Sequence, residues 1–226
     1  MTTERMKCLV LWDVDGTLIS NSQSDDDLFV SMIGDVLGAQ DRIEHPYRHG
    51  KTDRMMVREY VMANGGSAED VVRAAERLVE LSRAHFANPG ERRIEAGIVA
   101  AIERLAAAGH VNAILTGNSR ERCELKLTSA GMDHARFDWS ASFFGQTSDS
   151  RAELTEAAAG LARQRGLRPI VVGDTKADGL AAQAASIEFV GVATGIYAVA
   201  ELSEVPHLLV VEDFASGLAD LESALG

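Results

Sequence analysis

An apolar run, Cys8-Leu9-Val10-Leu11-Trp12, leads directly into Asp13-Val14-Asp15-Gly16-Thr17-Leu18. That junction constrains the fold more than any other stretch of the chain. The run has the length and residue types of a short buried strand. Side chains two apart in an extended chain point to the same side, so Asp13 and Asp15 leave the strand together. Gly16 and Thr17 then allow a sharp turn. The carboxyl ends of strands are where open α/β sheets bind ligands. A pair of carboxylates there suits a nucleophile beside a second acid that moves protons, with a divalent cation close by.

Four further apolar runs read as strands: Val111–Leu115, Ile170–Val172, Phe189–Val192 and Leu208–Val211, with a weaker one at Phe137–Ser142. Helical patterns alternate with most of them. Ile98–Ala108 repeats Ile98, Ile102 and Leu105 before stopping at Gly109, and Leu154–Arg165 stops at Gly166. Asp178–Ala185 and Phe214–Leu225 complete the set. This alternation predicts an α/β fold with a parallel sheet and helices on both faces.

Residues 20–92 break the pattern. Asp26–Leu37, Thr52–Ala63 and Ala68–Phe86 read as successive amphipathic helices with no strand between them, and Pro89-Gly90 marks a return loop. An all-helical insert leaving at the acidic motif would lie over the site as a cap and exclude water on closing. The alternative is that these helices pack on one face of the sheet. The expected division is therefore a core of residues 1–19 and 93–226 and a cap of residues 20–92.

Composition narrows the partners. A chain of 226 residues with 46% apolar and 25% charged residues suits a soluble globular protein. Its net charge of −12 argues against nucleic acid, which needs a basic footprint. No stretch has the length of a membrane span. The N-terminus does not read as a signal peptide, and Cys8 and Cys123 form no disulfide or metal framework. A cytoplasmic location with reduced thiols is expected. An anionic substrate would need local cations to offset the field. The six histidines offer no metal pattern; the close pair, His45 and His49, lies in a Pro-containing loop.

Three more segments can join the acidic pair. Ala113-Ile114-Leu115-Thr116-Gly117-Asn118 is a strand ending in a hydroxyl, a glycine and an amide. Thr116 and the N–H groups around Gly117 and Asn118 can donate to a phosphoryl group, although Thr-Gly-Asn also serves plain turns and caps. Ile170–Val172 runs into Gly173-Asp174-Thr175-Lys176-Ala177-Asp178. Asp174 is placed to bind a hard cation. Asp178 is a second ligand, an orienting residue, or an acid favoured by a helix dipole. Arg151 opens a helix after the turn-rich stretch Gly145–Ser150 and can offset charge on a nucleophile and a phosphoryl group. Lys126 is its rival, but lies mid-helix and is expected on a solvated face.

The order DxDGT, apolar-TGN, basic residue, GDxxxD resembles the haloacid dehalogenase-like superfamily of phosphohydrolases, from Asp13 to the region of Asp178. The resemblance implies a Rossmann-like core and a helical cap of the family's first class, as in its phosphoglycolate phosphatase and β-phosphoglucomutase branch. It implies Asp13 as nucleophile, Asp15 as general acid and base, and Thr116, with Gly16, Thr17, Gly117 and Asn118, around the phosphoryl group. It implies a Mg²⁺ site of the Asp13 carboxylate, the Asp15 carbonyl and Asp174, joined by Asp178 if that residue is a ligand. The family's basic residue is most often Lys followed by Pro. Here it is Arg151 followed by Ala, which keeps the charge and adds a planar fork. Gly50-Lys51-Thr52-Asp53 resembles a cap element in which Lys51 reaches the substrate; otherwise the segment only caps a helix.

Asp15 favours phosphate esters, because an alkoxide leaving group needs a proton and a halide does not. The expected activity is Mg²⁺-dependent hydrolysis of a small phosphorylated metabolite through an aspartyl-phosphate. A phosphomutase of the β-phosphoglucomutase kind and an inactive binding relative are the alternatives. The sequence leaves the particular substrate and the oligomeric state open.

Overall fold

The computed structural model describes residues 6–21, 24–38, 42–46, 50–87 and 92–226. The Pro89-Gly90 return loop and His49 lie outside these residues. Cys8–Trp12 forms β1, and its five side chains are all buried. Three helices follow: α1 (Ser24–Leu37), α2 (Asp53–Ala63) and α3 (Ala68–Phe86). Then come α4 (Ile98–Ala107), β2 (Val111–Thr116), α5 (Arg120–Ser129), β3 (Phe143–Phe144) and α6 (Arg151–Arg165). The chain closes with β4 (Arg168–Gly173), α7 (Lys176–Ala184), β5 (Glu188–Val192), α8 (Val199–Leu202), β6 (Leu209–Val211) and α9 (Phe214–Leu225).

The six strands form one parallel sheet in the order β3-β2-β1-β4-β5-β6. It is an α/β, Rossmann-like sheet, as the alternation predicts. The strands read as unbroken apolar runs because both faces are covered. Val10 and Trp12 point into a core with Ile102 of α4, Leu127 of α5 and Phe214 of α9. Leu9 and Leu11 point the other way, toward Leu154 and Ala158 of α6 and Ala182 of α7. Trp12 packs edge-on to Phe214, with ring centroids 5.6 Å apart, and donates to Asn112 Oδ1 at 2.9 Å. Pro169 does not interrupt β4. Arg168 N–H points at Lys7 O of the β1 side, so the missing Pro169 donor faces β5, whose pairing starts one residue later at Ile170.

The weaker strand candidate, Phe137–Ser142, is corrected. Short 3₁₀ turns occupy His134–Arg136 and Trp139–Ala141, and the strand is Phe143–Phe144. The cause is local. Asp133 and Asp138 accept from the N–H groups of Ala135 and Ser140, two residues on, closing turns that compete with extended backbone.

Helices α1–α3 bury their apolar faces against one another. Phe29, Met32 and Ile33 meet Met56, Tyr60 and Val61 of α2 and Ala74, Leu78 and Phe86 of α3 in a cluster of their own. The segment lies at the carboxyl edge of the sheet, where Asp53 N–H donates to Gly117 O at 2.7 Å. The order of strands reverses between β1 and β4: β1 continues to β2 on one side, while β4 opens the other. The crevice at that reversal is where such sheets take ligands.

Candidate active site

Asp13 follows β1 and stays in the ladder, its N–H donating to Val172 O at 2.9 Å. Gly16 turns the chain with φ +79°, and a Cβ there would stand 2.4 Å from Asp174 Oδ2. A side chain at that position is therefore excluded twice, by backbone conformation and by space. Thr17 Oγ1 donates to Asp174 Oδ1 at 3.2 Å. The Asp174 carboxylate, buried at the end of β4, is thus cradled by the turn that carries the acidic pair.

Asp178 has two attachments. One oxygen completes a capping box with Thr175 at the start of α7, accepting from its N–H at 3.1 Å and its Oγ1 at 2.7 Å. The other pairs with Arg151 Nη2 at 2.5 Å. Arg151 Nη2 also reaches Asp13 Oδ1 at 2.9 Å and Leu115 O at 3.1 Å. One guanidinium therefore sits between two acids beside the end of β2. Burial opposes its charge, but Asp13 and Asp178 outweigh that and hold its pKa above the ordinary value.

Asp13, Asp174 and Asp178 each bring a carboxylate oxygen within 4.8 Å of the others, and all three are buried. Burial, with the charges of Asp178 and Asp15, raises the Asp13 pKa to about 6 against the pull of Arg151. Burial, Asp13 and Asp178 raise Asp174 well above the usual carboxylate range. Three buried acids with one guanidinium among them are short of positive charge. The donors are all oxygen, the preference of a small hard cation, so the set fits Mg²⁺.

The Asp15 carboxylate turns to the other side of the pocket. It accepts from Lys126 Nζ at 2.8 and 3.0 Å, Arg92 Nη1 at 2.7 Å and Asn118 Nδ2 at 2.7 Å. Asn118 Oδ1 accepts from Lys126 at 2.8 Å, and Asn118 Nδ2 also donates to Thr116 Oγ1 at 2.9 Å. Thr116, Asn118 and Asp15 are thereby joined. Gly117 is pressed against the helical segment, where a Cβ would stand 2.3 Å from Lys51 O. The Lys51 ammonium is held by Glu59 of α2. Lys51 therefore brings its backbone, rather than its charge, to the turn.

Lys126 corrects the expectation of a solvated face, being only 2% exposed. The helix period could have shown it: Cys123 and Leu127 flank Lys126 on the buried side of α5. Arg92 is equally buried, bridging Asp15 and Ser20 O at 2.9 Å, with Phe86 under its guanidinium at 5.6 Å. Nothing in Glu91-Arg92-Arg93 separates that arginine from its neighbour. Arg92, Lys126 and Arg151 gather beside these acids in a protein of net charge −12, and would offset its field for an anion entering the pocket.

A model of the haloacid dehalogenase-like hydrolase family matches residues 10–183, most of the chain and every segment just described. The chain belongs to the haloacid dehalogenase-like hydrolases. Solved structures share the whole architecture. A hydrolase from Pseudomonas syringae is 20% identical with a TM-score of 0.72, covering 97% of this chain and 100% of its own. A predicted phosphoglycolate phosphatase from Haemophilus somnus is 20% identical with a TM-score of 0.70, covering 96% and 98%. CbbY from Rhodobacter sphaeroides, as a mutant in complex with xylulose-(1,5)bisphosphate, is 16% identical with a TM-score of 0.72, covering 93% and 96%. At these identities the likeness is one of fold. No curated protein matches the sequence significantly. Among the described residues of this haloacid dehalogenase-like hydrolase, no helix is long and apolar enough to cross a membrane.

Proposed function

We propose that the protein is a phosphoric monoester hydrolase, acting on a small phosphorylated metabolite through an aspartyl-phosphate on Asp13. The observation that supports this most is the Arg151 bridge. A guanidinium lies 2.9 Å from Asp13 Oδ1 and 3.1 Å from Leu115 O, and this supports the reading because in-line attack by Asp13 needs a fixed cation where the phosphoryl group would meet it.

In this reading Asp13 attacks phosphorus with one carboxylate oxygen, and the ester oxygen leaves in line. Arg151 stabilises the charge spread over the equatorial oxygens. Thr116 Oγ1 and the N–H groups of Gly117 and Asn118 bind those oxygens. Asp15 delivers a proton to the leaving alkoxide, then removes one from the water that hydrolyses the acyl phosphate. Lys126, Arg92 and Asn118 fix the direction in which Asp15 points. Asp13, Asp174 and the Asp15 carbonyl would hold Mg²⁺, which would supply the remaining charge neutralisation, with Asp178 beside them in the cluster and engaged by Thr175 and Arg151.

Residues 20–92 act as a cap over the core of residues 1–19 and 93–226, and exclude water during transfer. Small phosphorylated compounds fit this reading, since one structural relative is described as a predicted phosphoglycolate phosphatase and another holds xylulose-(1,5)bisphosphate. Two free, buried cysteines accord with a cytoplasmic location.

Phosphate release from p-nitrophenyl phosphate tests the proposal. Asp13→Asn is close in shape and should stay folded by circular dichroism while turnover falls roughly a thousandfold or more. A folded Asp13→Asn protein that releases phosphate at the wild-type rate rules the mechanism out.

A further inference from the structure

Asp53, the first residue of α2, joins the helical segment to the turn after β2. Its carboxylate accepts from Ser119 N–H at 2.7 Å and from Arg122 Nη1 at 2.5 Å, and its own N–H donates to Gly117 O at 2.7 Å. Ser119 is the N-cap of α5 yet makes no side-chain cap bond. Asp53 accepts the Ser119 amide from another element instead. Arg122 is 1% exposed and fixed from two further sides: Nε donates to Ser82 Oγ of α3 at 3.0 Å, and its guanidinium lies 5.3 Å from the Phe29 ring centre of α1.

The opposite side of the turn is fixed as well. Gly145 N–H donates to Asn118 O at 2.7 Å, and a Cβ on Gly145 would stand 1.8 Å from Gly117 O. The Thr116–Ser119 turn is therefore held between Asp53 and Gly145, without slack. The same turn carries Asn118, whose amide holds Asp15.

We propose that Asp53 is a positioning residue for phosphoryl transfer. By holding the Ser119 amide and the Gly117 carbonyl, it sets the direction of the N–H groups offered to the phosphoryl oxygens and the place of Asn118 against Asp15. The inference rests on the phosphoryl-transfer reading above. It assigns the helical segment a part in the site through backbone geometry, independent of the Lys51 charge. Small displacements of such groups cost up to about 100-fold in rate.

A merely structural role, neutralising buried Arg122, is separated by removing that charge in both arms. Arg122→Met is combined with Asp53→Asn, which keeps an acceptor for Ser119 N–H, or with Asp53→Ala, which does not. The expected result with p-nitrophenyl phosphate and Mg²⁺ is a kcat about 10- to 100-fold lower for the Ala pair, with KM little changed, and recovery of most of that loss in the Asn pair. Amide hydrogen exchange across residues 117–121 should also be faster in the Ala pair. Equal kcat and equal exchange in the two folded proteins overturn the proposal. If the Ala pair does not fold, the Ser119 amide of the wild-type protein decides: exchange at the rate of an unprotected amide overturns it, and protection supports it. If the wild type hydrolyses no ester, the functional reading fails, while the exchange contrast still reports whether Asp53 holds the turn.

Discussion

Two of the cations at this site, Arg151 and Lys126, lie in surroundings that rank them. Arg151 is enclosed between Asp13 and Asp178, with all three side chains at most 10% exposed. Replacing it by Met leaves buried acids without their guanidinium, a loss of about 3–5 kcal/mol for a broken buried pair. Lys126 faces Asp15, which keeps Arg92 and Asn118 as partners and is 26% exposed, so water shares the charge. Lys126→Met should therefore cost less, about 2 kcal/mol. Urea unfolding without divalent ions measures both, and a Lys126→Met protein weaker than Arg151→Met would contradict this ranking. The turnover loss should follow the same order if Asp13 is the nucleophile proposed above, since Arg151 is the cation paired with it. Asp13, Asp15 and Asp174 stood out in the sequence because they follow apolar runs, a position with a structural meaning, whereas Asp178 read equally well as an acid at a helix start. Lys126 and Arg92 were not, because a cation's partners are set by tertiary packing. For Lys126 the period beside Cys123 and Leu127 points to burial, but not to the carboxylate that it faces.

At the scale of elements, glycine marks where segments must touch. Gly117 and Gly145 stack backbone on backbone between the helical segment and the sheet edge, with no room for a methyl group. Gly34, inside α1, has nothing within 4 Å of a built Cβ. Gly145→Ala should lose about 1–3 kcal/mol by overpacking and lower kcat as the Thr116 turn shifts. Gly34→Ala should gain about 0.5–1 kcal/mol from helix propensity alone. Thermal melts of the two variants, read side by side, check the contrast; a Gly145→Ala protein as stable as wild type would show that the stack has slack. The elements themselves were largely legible. Strands buried on both faces, such as β1 and β5, show as unbroken apolar runs, and helix ends show at Gly109 and Gly166. β3 was not legible, since two residues carry no period and the Asp138 turn lies just before them. Nor could the contact between Asp53 and α5 be read, because it joins residues 66 positions apart.

At the scale of the whole molecule, an acidic protein concentrates further buried acids at the crevice where sheets of this kind bind ligands. The net charge is −12, and Asp13, Asp174 and Asp178 converge with Arg151 as the cation between them. Such a cluster costs stability unless a cation offsets it, so the proposed Mg²⁺ binding should show in folding as well as in catalysis. A ligand at 100 times its Kd adds about 2.7 kcal/mol to stability. In a chain of 226 residues, that corresponds to a Tm rise of roughly 5–10 °C. Asp174→Asn preserves the acceptor for Thr17 Oγ1 while removing one charge that burial and its neighbours already disfavour. The variant should melt higher than wild type in EDTA and lose most of the Mg²⁺-induced rise. Calorimetry with and without Mg²⁺ reads both effects without any turnover. A rise of equal size in wild type and Asp174→Asn would mean that the ion binds elsewhere, and that the convergence of these three acids serves some other purpose.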